Sequence, residues 1–263
     1  MRKTRRTGID KLHTLLFGQD LRITEGEPYC QVRPFDFAAD FEPRHLTKPL
    51  PAPTGEVIDI RTFGADPAAE DNAVAVQQAV DAAAKVGGTV LVDGGSYPMS
   101  TVELRSGVTL FITPGSFLAA RPDGKGFRHK ALLYGRDLTN VTLTGGGGLE
   151  GEGHRFGLRP ALPQNCTKPA NVIDVIEMRR TYRAQLRFAH PSKYGGLLSL
   201  ERCQGVHIHH FLFQNSAHWT CRLQMCRDAR IEYAAIRNNR NVANADGFDI
   251  VGGQDLIFRH CMV

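Results

Sequence analysis

From Thr89 onward the chain runs in short bursts of alternating apolar and polar residues. Val90-Leu91-Val92, Val108 to Ile112, Val141-Thr142-Leu143, Val206-His207-Ile208, Ala229-Arg230-Ile231 and Leu256-Ile257-Phe258 are the clearest, and Gly, Asn or Asp separates them. Period-two bursts bounded by turn residues predict strands. In the last four, a polar or cysteine residue and a turn precede an apolar–polar–apolar triplet, as in Cys203-Gln204-Gly205-Val206-His207-Ile208 and Cys226-Arg227-Asp228-Ala229-Arg230-Ile231. The recurrence falls within the roughly 20–50 residues expected of stacked structural repeats. Inserted loops make it irregular; the largest spans about residues 153 to 193 and carries Arg179, Arg180, Arg183 and Arg187.

One stretch follows a different period. Ala73, Val76, Ala79, Val80 and Ala83 lie on one face at helical spacing. Asp71-Asn72 supplies the predicted N-cap and Gly87-Gly88 the stop. A face of such small residues suits close packing on a flat surface, and the helix is expected to cover one end of a sheet structure. A short strand, Val57-Ile58-Asp59-Ile60, precedes it. Residues 1–54 show no sustained period and are punctuated by Pro28, Pro34, Pro43, Pro49, Pro51 and Pro53. They predict an irregular extension, with short strands such as Tyr29 to Val32, and then a Pro-rich linker. The expected boundary therefore falls at residues 54/55, with the repeat domain over 55–263.

Several strands per unit, no helices between them and one helix at the start predict an all-β parallel β-helix. Alternate side chains would enter a narrow core, and Asn and Cys near the bends could stack from coil to coil. A β-sandwich is the alternative, and it requires hairpin turns and more regular strands.

Composition narrows the chemistry. A hydrophobic share of 42% among 263 residues allows a sizeable core, and 27 glycines fit a turn-rich fold. The formal charge of +5 favours an acidic partner such as an acidic polysaccharide, or serves solubility. Without a basic stripe interleaved with aromatics, nucleic acid is not an expected partner. No apolar run is long enough to span a membrane as a helix. Leu12 to Phe17 is too short for a signal segment, so a cytoplasmic protein is expected. Six scattered cysteines then read as reduced, several as small buried hydrophobes.

The candidate chemistry centres on Asn244-Ala245-Asp246-Gly247-Phe248-Asp249-Ile250. Asp246-Gly247 reads as a bend feeding a strand whose Phe248 and Ile250 alternate with an outward Asp249. A carboxylate held at the mouth of a rigid strand can activate water or donate a proton, as hydrolysis of a glycosidic bond requires. An ordinary Asn/Asp-Gly turn is the alternative.

Ile60-Arg61-Thr62-Phe63-Gly64-Ala65, the following helix and Gly87-Gly88-Thr89-Val90 look like the opening of pectin-acting β-helix enzymes. Leu132-Leu133-Tyr134, Asn140 to Gly145 and Gly148 to Gly153 look like their first coils. Asn215-Ser216-Ala217-His218-Trp219-Thr220 and Asn244 to Asp249 resemble the Asn-Ser-Pro-x-Trp segment and the Asn-Thr-Asp-Gly-x-Asp signature of glycoside hydrolase family 28, the polygalacturonases and their relatives. The resemblance implies a right-handed, single-stranded parallel β-helix with an N-terminal capping helix. It also implies inverting hydrolysis of galacturonosyl bonds in polygalacturonate or pectin-derived oligosaccharides, with no cofactor and no metal.

On this resemblance Asp246 is the catalytic candidate that helps to activate water, while Asn244 and Asp249 support it. Ala217 and Ala245 replace the family's proline and threonine. The family's paired aspartates, Gly-His-Gly and Arg-x-Lys are expected further along, and the chain stops at Val263 before any of them. The expectation is therefore a fragment or truncated product with an open coil end, which invites partner pairing.

Other candidates stay open. Trp219 is either a platform for substrate sugar or packing against a neighbouring coil. His207, His209 and His210 could bind metal, but solvated or stacked histidines without a nearby acid are the plainer outcome. The arginines of the long insertion could attract an acidic polymer or form a charged loop. Two further functional readings are a calcium-dependent pectate lyase and a non-catalytic glycan-binding remnant. The pattern sets no oligomeric state.

Overall fold

The computed structural model describes residues 50–153, 195–238, 242 and 244–263. The predicted strand at Tyr29 to Val32, most of the N-terminal extension, Cys30, Cys166 and the arginine-bearing insertion lie outside the described residues. Thirteen strands appear among the described residues: β1 (Val57–Asp59), β2 (Thr89–Val92), β3 (Ser96–Met99), β4 (Val102–Glu103), β5 (Thr109–Ile112), β6 (Phe117–Ala120), β7 (Ala131–Arg136), β8 (Thr139–Thr144), β9 (Gly148–Glu150), β10 (Gly196–Glu201), β11 (Gln204–Gln214), β12 (Cys221–Arg237) and β13 (Phe248–Arg259). All their pairings are parallel. The chain is a right-handed parallel β-helix.

Three faces make up each coil. Face I stacks β4, β7, β10 and the openings of β12 and β13. Face II stacks β1, β2, β5, β8, the start of β11, the middle of β12 and the end of β13. Face III stacks β3, β6, β9 and the ends of β11 and β12. All six strands expected from alternation belong to face II. Its inward column Val90, Leu110, Leu143, Ile208 and Ile231 is wholly buried, and burying each such side chain contributes about 1.5–3 kcal/mol.

Longer strands arise because the hydrogen-bond ladder follows the chain around its corners. At those corners the backbone turns left-handed. Asp137, Arg202, Met225 and Gly252 form one column of positive φ between faces I and II. Asn140, Gly205, Asp228 and Asp255 form a second. A third contains His210, Tyr233 and His260, whose rings stack with centroids 4.9 Å apart at each step. A non-glycine residue in this region costs about 1–2 kcal/mol. Tyr233 is sandwiched on both sides, and each aromatic pair returns about 0.5–1.5 kcal/mol.

Before the first coils, a 3-10 turn (Ile60–Phe63) leads to α1 (Ala73–Val86), which packs on β1, β2 and β4. Its buried residues are Ala75, Val76, Ala79, Val80 and Ala83. Ala75, rather than the expected Ala73, thus completes the packed stripe. Gly87 ends the helix in the left-handed region, as expected. The N-cap falls at Asn72, within the expected Asp71-Asn72 pair, with the side-chain role on Asp71. Asn72 makes no side-chain cap; its Oδ1 accepts from Asp66 N at 2.8 Å and its Nδ2 donates to the Pro98 carbonyl at 3.0 Å. Asp71 Oδ1 takes the helix amide of Ala73 at 2.9 Å instead. Burial decides this: Asn72 is enclosed where helix meets coil and must satisfy the backbone there.

At the other end, among the described residues, β13 pairs with β12 alone. Its inward residues Ile250 and Phe258 are 42% and 37% exposed, against 0% for Ile231 one coil earlier. Cys203, Cys221 and Cys226 are buried free thiols, and Cys203 stacks on Cys226 at one bend.

Phe213 tests the packing. It is fully buried, in register with Leu149 and Ile236 and edge-on to Phe211 at 5.1 Å. Phe213→Ala is expected to lower unfolding stability by about 3–5 kcal/mol. Val74→Ala, on the exposed side of α1, is expected to stay within about 0.5 kcal/mol. Urea denaturation of both variants measures the contrast.

Candidate active site

Face I and the turns that lead into it carry the predicted site residues. Inward side chains Leu133, Leu198, Cys221 and Phe248 alternate with the outward row Tyr134, Ser199, Arg222 and Asp249, each in register with the next. Outward neighbours in this row stand about 4.8 Å apart, the spacing of adjacent strands. Asp249 thus projects from β13 as its alternation predicted.

The turn before β13 is pinned to the preceding coil. Thr220 N donates to the Asp246 carbonyl and Cys221 N to the Gly247 carbonyl, both at 3.0 Å. Asn238 then ties three segments together. Its Oδ1 accepts from Ser216 N at 2.9 Å, and its Nδ2 donates to Thr220 Oγ1 at 2.5 Å and to the Ala245 carbonyl at 3.0 Å. The resembled segments around Ser216 and Asp246 therefore meet through one side chain. Asn244 stands in the left-handed region at the turn, φ 58°, and is exposed.

Two carboxylates result, in different surroundings. Asp246 is exposed on the turn, whereas Asp249 is half-buried. Its Oδ2 is enclosed and has no hydrogen-bond partner among the described residues. Desolvation, reinforced by the negative charge of Asp246, pushes the Asp249 carboxyl from 3.8 up to about 6; Arg222 opposes the rise. Asp249 can therefore hold a proton in mildly acid solution.

Arg222, Ser199, Tyr134 and Asn238 carry no motif signal of their own and join the site only through register. The Arg222 guanidinium lies 5.4 Å from the centre of the Trp219 ring, and Nη2 donates to Gln224 Oε1. Trp219 is half-buried, so it both packs on its neighbour and presents part of its ring. Gly196 is required beneath it, because a Cβ there would overlap the Trp219 carbonyl. Further along the face, Glu201 joins Arg136 at 2.6 Å and Arg202 at 2.7 Å, and Arg202 also joins Asp137 at 2.7 Å.

The histidine cluster lies on face II, apart from these groups. His207 and His209 share a side, with ring centres 4.4 Å apart. Contrary to expectation an acid is close: Glu232, one coil on, lies 3.4 Å from His207 Nε2 and also joins Arg259. His209 Nδ1 approaches Thr144 Oγ1 and His210 Nδ1 at 3.1 and 3.2 Å. Among the described residues no group of three or more His, Cys, Asp or Glu is arranged to hold a metal ion.

No family profile matches the sequence, and no curated protein matches it. Similar solved structures exist. A candidate glycosyl hydrolase from Parabacteroides merdae matches at 20% identity and TM-score 0.56, covering 78% of this chain and 95% of that one. The family 28 exopolygalacturonase of Yersinia enterocolitica matches at 20% identity and TM-score 0.60, covering 78% of this chain and 43% of that one. A hyperthermoactive exopolygalacturonase from Thermotoga maritima matches at 17% identity and TM-score 0.60, covering 81% and 53%. The chain thus spans about half the length of these two exopolygalacturonases, and what it shares with all three is the fold.

Two expectations follow from the site. Asn238→Ala removes three hydrogen bonds at the turn and is expected to cost about 1–3 kcal/mol of stability, measured by urea denaturation. Asp249 binds its proton more tightly folded than unfolded, so its contribution to stability declines as pH rises from 3.8 to about 6. Asp249→Asn should therefore raise the melting temperature at pH 7 and lose that advantage below about pH 4. Melting curves across pH 3–8 measure it.

Proposed function

We infer that this chain carries the acid/base face of a glycoside hydrolase acting on polygalacturonate or pectin-derived oligosaccharides with inversion. One observation carries the reading: on face I Asp249 stands in register with Arg222, which the indole of Trp219 backs, and burial together with the charge of nearby Asp246 raises the proton affinity of Asp249. Neighbouring groups of this kind divide the acid and base roles between them. The resemblance of Asn244 to Asp249 to the family 28 signature supports it, as does the fold shared with two exopolygalacturonases.

In this reading the exposed Asp246 carboxylate accepts the proton of the attacking water. Asp249 keeps its own proton to about pH 6 and is the donor this chain offers to the leaving oxygen. That is a larger part than the supporting one implied by resemblance. Inversion needs acid and base about 6.5–9.5 Å apart across the bond, so that water fits between base and sugar. Trp219 supplies an apolar platform for a sugar ring, Asn238 holds the turn, and Asn244 keeps the supporting place that the resemblance gives it.

Asp246→Asn is expected to lower reducing-end release from oligogalacturonate by about 100-fold or more. Wild-type kcat/KM should decline above about pH 6 as Asp249 loses its proton. Proton NMR of the first product should show the inverted anomer. Full activity in Asp246→Asn would sink the assignment. Calcium-dependent formation of an unsaturated product would identify lyase chemistry instead, and binding without turnover a glycan-binding module.

A further inference from the structure

Face I bears three arginines, and they are not equivalent. Arg136 and Arg202 are neutralised by Glu201 and Asp137. Arg222 has no ion-pair partner among the described residues. Its Nε is enclosed and makes no hydrogen bond there. It is also held still: the indole of Trp219 lies against the guanidinium and Gln224 takes Nη2. Its register neighbours are Ser199 on one side and the candidate acid Asp249 on the other. The chain therefore keeps a fixed planar cation, outside ion-pair contact with any carboxylate among the described residues, within one strand of the candidate acid whose charge it partly offsets.

Holding a guanidinium half-buried and unpaired is unfavourable unless something else completes it. Asp249 does not; its enclosed Oδ2 also lacks a partner. What fits is a planar or tetrahedral oxyanion, which the fork of an arginine binds by parallel hydrogen bonds. The ring carrying that anion could rest its apolar side on Trp219.

We propose that Arg222, backed by Trp219, is the substrate-selecting residue of this chain, binding the anionic substituent, carboxylate or sulfate ester, of the sugar beside the scissile bond. This rests on face I being the glycan-binding face, as in the function inferred above. It goes beyond that reading because it makes Arg222 the origin of preference for acidic over neutral sugars.

Trp219 is the chain's single tryptophan and touches Arg222, so its fluorescence reports this position alone. The test uses the whole chain carrying Asp246→Asn, so that binding is read without turnover. Three probes are titrated: a galacturonic acid trimer, the same trimer with its carboxyls reduced to alcohols, and a sulfated galactose trimer. An acidic probe is expected to bind at least tenfold more tightly than the neutral one. Arg222→Gln should remove that preference while leaving the neutral affinity unchanged, and Arg222→Lys should restore only part of it. Tighter binding of the uronic trimer identifies a carboxylate as the anion, and tighter binding of the sulfated trimer a sulfate. Equal affinity for acidic and neutral probes, a preference that survives Arg222→Gln, or no binding of any probe would overturn the proposal. Hydrolysis by the unsubstituted chain is assayed separately. Activity with no acid preference removes this inference and leaves the hydrolase reading, whereas Arg222-dependent preference without activity does the reverse.

Discussion

Every coil of this protein must sit in register on the one before it, and the rest of the structure depends on that lateral ladder of parallel hydrogen bonds. A slip by one residue would turn Leu198 outward and Ser199 inward along the whole of face I. The inward columns resist this because their burial supplies most of the stability. The corners must then bend at the same position in each coil. Left-handed backbone at Asp137, Arg202, Met225 and Gly252 does so, although neither arginine nor methionine favours that conformation. Local preference is overridden where misalignment would cost more.

The same ladder builds the candidate site. Tyr134, Ser199, Arg222 and Asp249 come from four strands far apart in sequence, and only their register makes them neighbours. A parallel sheet gives such a row a rigid base, because each backbone is held on its neighbours. The turn bearing Asp246 has no strand of its own. It depends on Asn238, whose single amide joins it to the segments at Ser216 and Thr220. Precision at the turn is thus borrowed from coils already formed.

Electrostatics then differentiates groups that the sequence presents alike. Asp246 and Asp249 are three residues apart, yet one is in water and the other is enclosed beside its neighbour's charge. Among the arginines of face I, Glu201 and Asp137 satisfy two, and Arg222 rests against Trp219 without an ion pair among the described residues. An unpaired carboxyl oxygen next to an unpaired guanidinium nitrogen is unfavourable for folding. Groups left so are suited to a substrate that satisfies them, which is the usual conflict between stability and function at a site.

By itself the sequence determined the parallel β-helix, the helix at its start and the outward direction of Asp249. Each of these follows from local periodicity: two for strands, 3.6 for α1, and glycine where α1 must stop. It revealed face II because those strands carry β-branched and leucine alternation over several residues. Faces I and III were legible only in part, since β3, β4 and β9 are two to four residues long and hold little pattern. Only the tertiary structure placed Glu232 beside His207, left the side-chain cap of α1 to Asp71 while tying Asn72 to Pro98, and brought Asn238 and Arg222 to the carboxylates. These are contacts between coils. A residue's own neighbours in the chain carry no record of what lies one strand above it, because that is fixed by the length of every loop between them.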